Sequence, residues 1–170
     1  MKEIWDGYLA DGTRAGLDLI RGEEIPKGLY HLASRVLLRH ADGDYLVMRR
    51  DPERRLHGGK LEATAGGSAL KGENAEAAAI RELYEETGFK ADTLLHLGGF
   101  RTHNTLFEVF LATTDRDKSG VILQEGETVG YRWVAEDELI RIISSDEAVP
   151  TDTDFYLGYF AKKNLHNKEL

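Results

Sequence analysis

Apolar and polar residues alternate in short runs over most of this chain, and three stretches depart from that alternation. Residues 3–21 read as a hairpin, with EIWDGYLA and RAGLDLI flanking Asp11-Gly12, a strong turn pair. Residues 21–28 are polar, contain Pro26 and read as a loop. Tyr30 to Arg39 and Asp44 to Arg50 read as strands joined at Asp42-Gly43, and apolar residues at both alternating positions predict a buried central hairpin. The charged segment DPERRLHGGK, residues 51–60, is a loop. Leu61 to Ala65 is a short strand leading into a turn at Gly66-Gly67. Further strands are predicted at 93–101, 105–113 and 129–134, with a polar loop at 115–127 that allows a brief pairing at Val121 to Leu123. The first departure from alternation is a helix over 75–87, with Asn74 as its N-cap, Glu76 in its first turn and Gly88 to stop it. The second is a helix from Glu136 to Ser144 whose apolar side is Leu139, Ile142 and Ile143. The third follows Pro150, with Thr151 and Asp154 in a capping arrangement and a helix through about Asn164. Strands and helices mixed in this order predict a layered α/β domain with a mixed sheet.

The helix over 75–87 also carries chemistry. At about 100° per residue, Glu82, Glu85 and Glu86 share a third of its circumference. Ala77, Ile80, Leu83 and Tyr84 form an apolar stripe expected to face a core, and Ala75, Ala78 and Ala79 flank the acids with little bulk. Like charges at i, i+3 and i+4 destabilise a helix unless a cation sits among them. Oxygen ligands alone select a hard divalent ion such as magnesium or manganese. The plain alternative, a solvated acidic face, is weakened by the glycines before the helix and by the one-sided placement of the acids.

Composition narrows the partners. A net charge of −8 argues against a nucleic-acid polymer, whose phosphates are held by basic surfaces, while a small phosphorylated substrate needs only local cations and a bound metal. Zero cysteines remove disulfides, thiolate nucleophiles and thiolate zinc sites, which fits a reducing cytoplasm. The opening residues MKEIWDGYLADG carry charges where a secretory leader needs an apolar core, and no run approaches a membrane span. A cytoplasmic protein of one domain, residues 1–170, is expected, with 1–29 as a hairpin extension and 30–170 as the core and C-terminal helix. Trp5 and Tyr8 leave two readings of the extension: packing on its own domain, or across a homodimer.

The stretch GGSALKGENAEAAAIRELYEETGF, residues 66–89, has a fixed grammar. Gly67 is followed by five residues and Glu73, then by seven residues and Arg81-Glu82-Leu83, then by Glu85-Glu86, Gly88 and the apolar Phe89. It resembles the Nudix box at every fixed position, and the flanking elements resemble that family from about Tyr30 to Ser145. The resemblance implies an α/β/α sandwich with a mixed β-sheet, here with an added N-terminal β-hairpin. It implies magnesium-dependent hydrolysis of a pyrophosphate bond, in a small nucleoside di- or triphosphate or a nucleotide-sugar-like compound. By position it makes Glu82, Glu85, Glu86 and the Gly66 carbonyl metal ligands. Glu73 and Arg81 become the brace that holds loop to helix, which gives Arg81 a place in the catalytic set. The general base stays open between Glu85 and Glu127, with Glu125 close enough to compete.

Other residues receive weaker expectations. Among the cations near the box, Arg50 and Lys60 are expected to face phosphate, against a solvated surface role for each. Tyr30, Phe100 and Trp133 could stack on a base, with core packing as the ordinary role. Trp5-Asp6, Arg21-Gly22-Glu23 and Tyr30-His31-Leu32 resemble the N-terminal extension of the isopentenyl-diphosphate-isomerase-like branch. That branch uses a cysteine just before the box, where this chain has Gly66, and a histidine soon after, where it has Ser68. His31 matches one metal histidine of that group but is expected to be a buried strand histidine. Isomerisation is therefore the minor alternative, together with a catalytically inactive nucleotide-binding sensor.

Overall fold

The computed structural model describes residues 2–150 and 153–166, and side chains through 164. Strands β1 (Ile4–Tyr8) and β2 (Arg14–Ile20) form an antiparallel hairpin. The remaining strands are β3 (His31–His40), β4 (Tyr45–Arg50), β5 (Leu61–Glu62), β6 (Thr64–Ser68), β7 (Thr93–Arg101), β8 (Thr105–Thr114) and β9 (Thr128–Val134). Helices α1 (Ala75–Thr87), α2 (Glu136–Ile143) and α3 (Thr153–His166) complete the fold. Thr151, half of the expected cap before α3, lies outside the described residues.

The second sheet is mixed and branched. β3 runs parallel to β8, and the other pairings, β3 with β4 and β6, β4 with β5 and β9, and β7 with β8, are antiparallel. β3 carries apolar residues at both alternating positions because helices cover both faces of the sheet. Val36 and Leu38 pack with Leu83 of α1 and Phe89, while Leu37 packs with Leu139 of α2 and Phe160 of α3. Sheet between helices is the α/β sandwich expected from the order of elements.

Two local expectations need correction. Tyr45 to Met48 are buried as predicted, but the central hairpin pairs only at its base, Arg39 with Tyr45. Beyond that point β6 takes the edge of β3, from Leu37 opposite Thr64 to Ala33 opposite Ser68, and β4 turns away to β5 and β9. The sheet splits there, and the split opens toward Gly66. The second correction concerns the glycine pair. Gly66 and Gly67 do not turn the chain; they continue β6 opposite Arg35 and Ser34. A Cβ at Gly66 would stand 2.1 Å from the Ser34 carbonyl oxygen, so glycine is needed for close approach of two strands. The left-handed turn comes later, at Gly72, with φ 89°.

Helix α1 is capped as its sequence predicts. The Asn74 side chain accepts from Ala77 N at 2.8 Å, and Gly88 at φ 72° donates its N–H to the Tyr84 carbonyl. Its orientation differs from the apolar-stripe expectation. Ala78, Ala79, Leu83 and Thr87 are buried, whereas Ile80 and Tyr84 are 48% and 52% exposed and Ala77 faces outward. The small alanines let the helix lie close to β3 and β6, and Ser34 Oγ donates to the Ala75 carbonyl at 2.6 Å from a fully buried position. Close approach thus brings the acidic side toward the sheet edge and leaves the larger side chains outside.

The hairpin packs on its own chain. Trp5 and Tyr8 are buried, Trp5 stacks on His31 at 4.4 Å, and Tyr8 bridges Tyr30. The segment 121–123 forms no strand. Instead Ile122 N donates to the Thr87 carbonyl, while Val121 and Leu123 cover the core beside α1.

Candidate active site

A polar cleft of about 350 Å³ opens where the sheet splits. One wall is continuous in sequence. β6 ends in Gly66, Gly67 and Ser68, and α1 presents Arg81, Glu82, Glu85 and Glu86 beside it. A Cβ at Gly67 would come 2.4 Å from Glu82 Oε1, so the second glycine leaves the room that the carboxylate occupies. Glu86 Oε1 accepts from Gly66 N at 3.3 Å.

Arg81 holds this wall together. Its Nε and Nη2 donate to the two oxygens of Glu73 at 2.8 and 2.9 Å, a bidentate pair. Nη2 also donates to the Ser68 carbonyl at 3.1 Å, and Nη1 donates to Glu82 at 2.7 Å and Glu85 at 3.1 Å. Glu73 Oε2 in turn accepts from Leu70 N at 2.8 Å. The Arg81 hydrogen bonds, then the loop N–H, hold the Glu73 carboxyl below the usual carboxylate range despite opposing burial. The same partners, Glu73 first, raise Arg81.

The remaining acids respond in the opposite direction. Burial raises Glu82, with Glu85 and Glu3 adding to the effect and Arg81 opposing it. Glu86 lines the cleft, yet its carboxyl is mostly shielded from bulk water. Burial first, then the nearby charges of Glu62 and Glu82, push it up to about 8. Carboxylates that resist ionisation beside one another are the environment a cation relieves. The donors fit a hard divalent ion in type, all carboxylate or backbone oxygen. Among the described residues no three acidic or histidine side chains already surround one point, and Arg81 holds Glu82 and Glu85.

The facing wall comes from three distant segments. Glu3 and Arg21 stand at the base of the hairpin, Arg54 in the 51–60 loop, and Gln124 and Glu127 before β9. Glu127 pairs with Arg54, and Arg21 Nη1 with Glu3 at 2.6 Å. Of the two acids in competition, Glu127 reaches the cleft and Glu125 does not line it.

Arg50 and Lys60, expected at phosphate, are placed elsewhere. Arg50 Nη1 pairs with Glu62 and does not line the cleft, and Arg35 Nη1 stands 3.5 Å from the same carboxyl. Lys60 Nζ donates to the Asp146 and Ala148 carbonyls beyond α2. The cations on the cleft are Arg21, Arg54 and Arg81. The aromatics keep to packing. Trp133 Nε1 donates to the Lys118 carbonyl, Phe100 stacks on Phe107, and Tyr30 lies under Arg101. His31 Nδ1 meets the Asn104 carbonyl at 3.2 Å, and burial lowers its pKa. Glu62, buried between two arginines, was missed. A lone acid in a two-residue strand has no period to mark it, and its significance comes from Glu86, distant in sequence.

A mixed sheet between helices, with an acid-lined cleft at its split, defines the class. The NUDIX domain profile matches residues 29–157, and the chain belongs to the Nudix family. It is 31% identical to an uncharacterised Nudix hydrolase of Listeria monocytogenes, over 87% of this chain and 89% of that one. It is 26% identical to an ADP-ribose pyrophosphatase of Bacillus subtilis, over 95% and 90%. The fold matches a crystal structure from Deinococcus radiodurans at TM-score 0.70 and 22% identity, covering 86% of this chain and 92% of that one. No helix among the described residues is long and apolar enough to cross a membrane.

Proposed function

We propose that this protein hydrolyses a pyrophosphate bond in a small phosphorylated substrate, with magnesium as the ion and manganese as a substitute. The observation that carries this reading is the convergence of Glu82 and Glu86, both raised by burial and by neighbouring acids, at the Gly66–Gly67 strand end. Glu82, Glu85, Glu86 and the Gly66 carbonyl would hold the ion. When bound, the ion neutralises charge on the breaking P–O bond and lowers the pKa of water. Glu73 and Arg81 keep the strand end and helix in register, so the ligand oxygens start close to their working positions. Glu127, which lines the cleft and pairs with Arg54, would take the proton of the attacking water, with Glu85 as the alternative base.

The substrate lies among nucleoside di- and triphosphates and nucleotide-sugar-like compounds. The Bacillus subtilis relative's name supports the second group. Residues 1–170 act as one domain in this reading, since the hairpin base forms part of the cleft. The isomerase and sensor alternatives are disfavoured. Gly66 and Ser68 replace the isomerase cysteine and histidine, His31 is committed to Trp5 and Asn104, and no box glutamate is missing.

A screen of diphosphate compounds with and without magnesium, using wild type, Glu85→Gln and Glu86→Gln, tests the proposal. Metal-dependent turnover that both substitutions depress supports it. Turnover equal to wild type in both variants removes the ligand assignment.

A further inference from the structure

We propose that the N-terminal hairpin is a working wall of the cleft and that Arg21 is a specificity-determining residue. It would receive the terminal phosphate of the substrate, and so favour substrates ending in a free phosphate over diphosphates capped at both ends. This rests on the pyrophosphohydrolase reading and narrows its substrate class.

The hairpin is anchored where it matters. Lys71 N donates to the Ile4 carbonyl at 2.8 Å, Gly72 N to Asp6 Oδ2 at 2.8 Å, and Lys71 Nζ to Asp18 at 2.6 Å. Arg14 adds a hydrogen bond to the Glu73 carbonyl at 3.2 Å. These contacts fix the hairpin to the loop that carries Glu73 into α1. Arg21 follows the last residue of β2, and its backbone N–H donates to the Glu3 carbonyl, so its Cα is held to the start of β1. From there both Arg21 and Glu3 line the cleft, together with Glu82 and Glu86.

The guanidinium is available. Its pair with Glu3 leaves the Arg21 side chain 61% exposed, and an exposed pair of this kind holds its partner weakly. A phosphate offers bidentate, charge-assisted bonds and displaces such a partner readily. Arg54 sits on the same wall and is also paired to a single acid, but its side chain is only 32% exposed. Arg81, by contrast, is fully committed to the box. No aromatic ring lines the cleft among the described residues, so recognition there is of charge rather than of a stacked base. A terminal phosphate adds the charge that a capped diphosphate lacks.

The test is steady-state kinetics of wild type, Arg21→Gln and Glu3→Gln on a nucleoside diphosphate and on ADP-ribose. Arg21→Gln should raise KM for the nucleoside diphosphate about tenfold, leave KM for ADP-ribose within about twofold and barely change kcat. Glu3→Gln, which frees the guanidinium, should lower KM for the nucleoside diphosphate. Equal changes on both substrates, or none, overturn the proposal, and a merely structural role would move kcat and melting temperature together. Failure of the pyrophosphohydrolase reading shows separately, as absence of wild-type turnover on both compounds. In that case calorimetric binding of imidodiphosphate decides: about tenfold weaker binding by Arg21→Gln supports the role, and equal affinity or no wild-type binding overturns it.

Discussion

The two walls of the cleft are built on opposite principles. The β6–α1 wall comes from one stretch of chain, residues 66–86, and Arg81 alone ties together Glu73, Ser68, Glu82 and Glu85. The facing wall is assembled from residues 3, 21, 54, 124 and 127, and its cations are held by single acids. One wall is braced and places acids where ionisation is unfavourable; the other is loosely paired and offers guanidinium groups. On the proposed function, chemistry that must not move would fall to the first, and selection among substrates to the second, where loops and the hairpin can vary without disturbing the box.

The sharpest break in the comparison is Glu86→Gln. If Glu86 holds the ion as proposed, the substitution should cut turnover by about 10²–10³-fold, while Arg54→Gln across the cleft should mainly raise KM. The same carboxyl gives a pH signature. In the metal-free fold Glu86 titrates near 8, above its ordinary 4.5. Between those values the folded state holds a proton that the unfolded state has released, so stability contributed by this group is present below pH 4.5 and is lost as pH rises toward 8. Thermal melts of metal-free protein should show that loss, Glu86→Gln should flatten it, and added magnesium should stabilise wild type more at pH 8 than at pH 6. A slope unchanged in the variant would show that the carboxyl ionises freely.

Glu127→Gln comes next. If Glu127 is the base proposed above, the substitution should slow the chemical step by about a hundredfold, with KM little altered. An unchanged single-turnover rate returns the assignment to Glu85.

Much of the first wall was legible because its residues are local. Asn74, Gly88, Glu73 and Arg81 interact within one helix and its loop, so spacing alone locates them. The sandwich was legible for a related reason, since β3 is apolar on both faces and α2 carries a clear apolar side. The second wall was not, because Arg21 and Arg54 become neighbours of Glu86 only through the split in the sheet. The apolar stripe predicted on α1 is not its buried face, because size as well as hydrophobicity decides burial there. Ile80 and Tyr84 are more apolar than Ala78 and Ala79, but only alanine allows the helix to approach β3 and β6 closely enough to bring Glu82 and Glu86 to Gly66 and Gly67. The two faces of α1 can be compared directly. Leu83→Ala should destabilise by about 2–5 kcal/mol, and Ile80→Gln by no more than about 0.5 kcal/mol, in denaturant titrations. A large loss at Ile80 would mean that its face is covered in solution.

The smallest effect expected is at Lys60, and it tests the boundary of the second wall. Lys60 and Arg54 share one loop and one charge, so sequence offers little to separate them. The structure separates them by direction. Arg54 turns to Glu127 and the cleft, while Lys60 Nζ reaches the Asp146 and Ala148 carbonyls and ties the loop to the segment between α2 and α3. Lys60→Gln should therefore leave kcat and KM within about twofold of wild type. Its cost should appear as a loss of about 1 kcal/mol of stability, the scale of an exchanged hydrogen bond. If Lys60→Gln instead raised KM as Arg54→Gln does, the loop would have to swing during turnover and carry both cations to the substrate. The division between a rigid wall and a merely loosely paired one would then become a division between a fixed wall and a closing one.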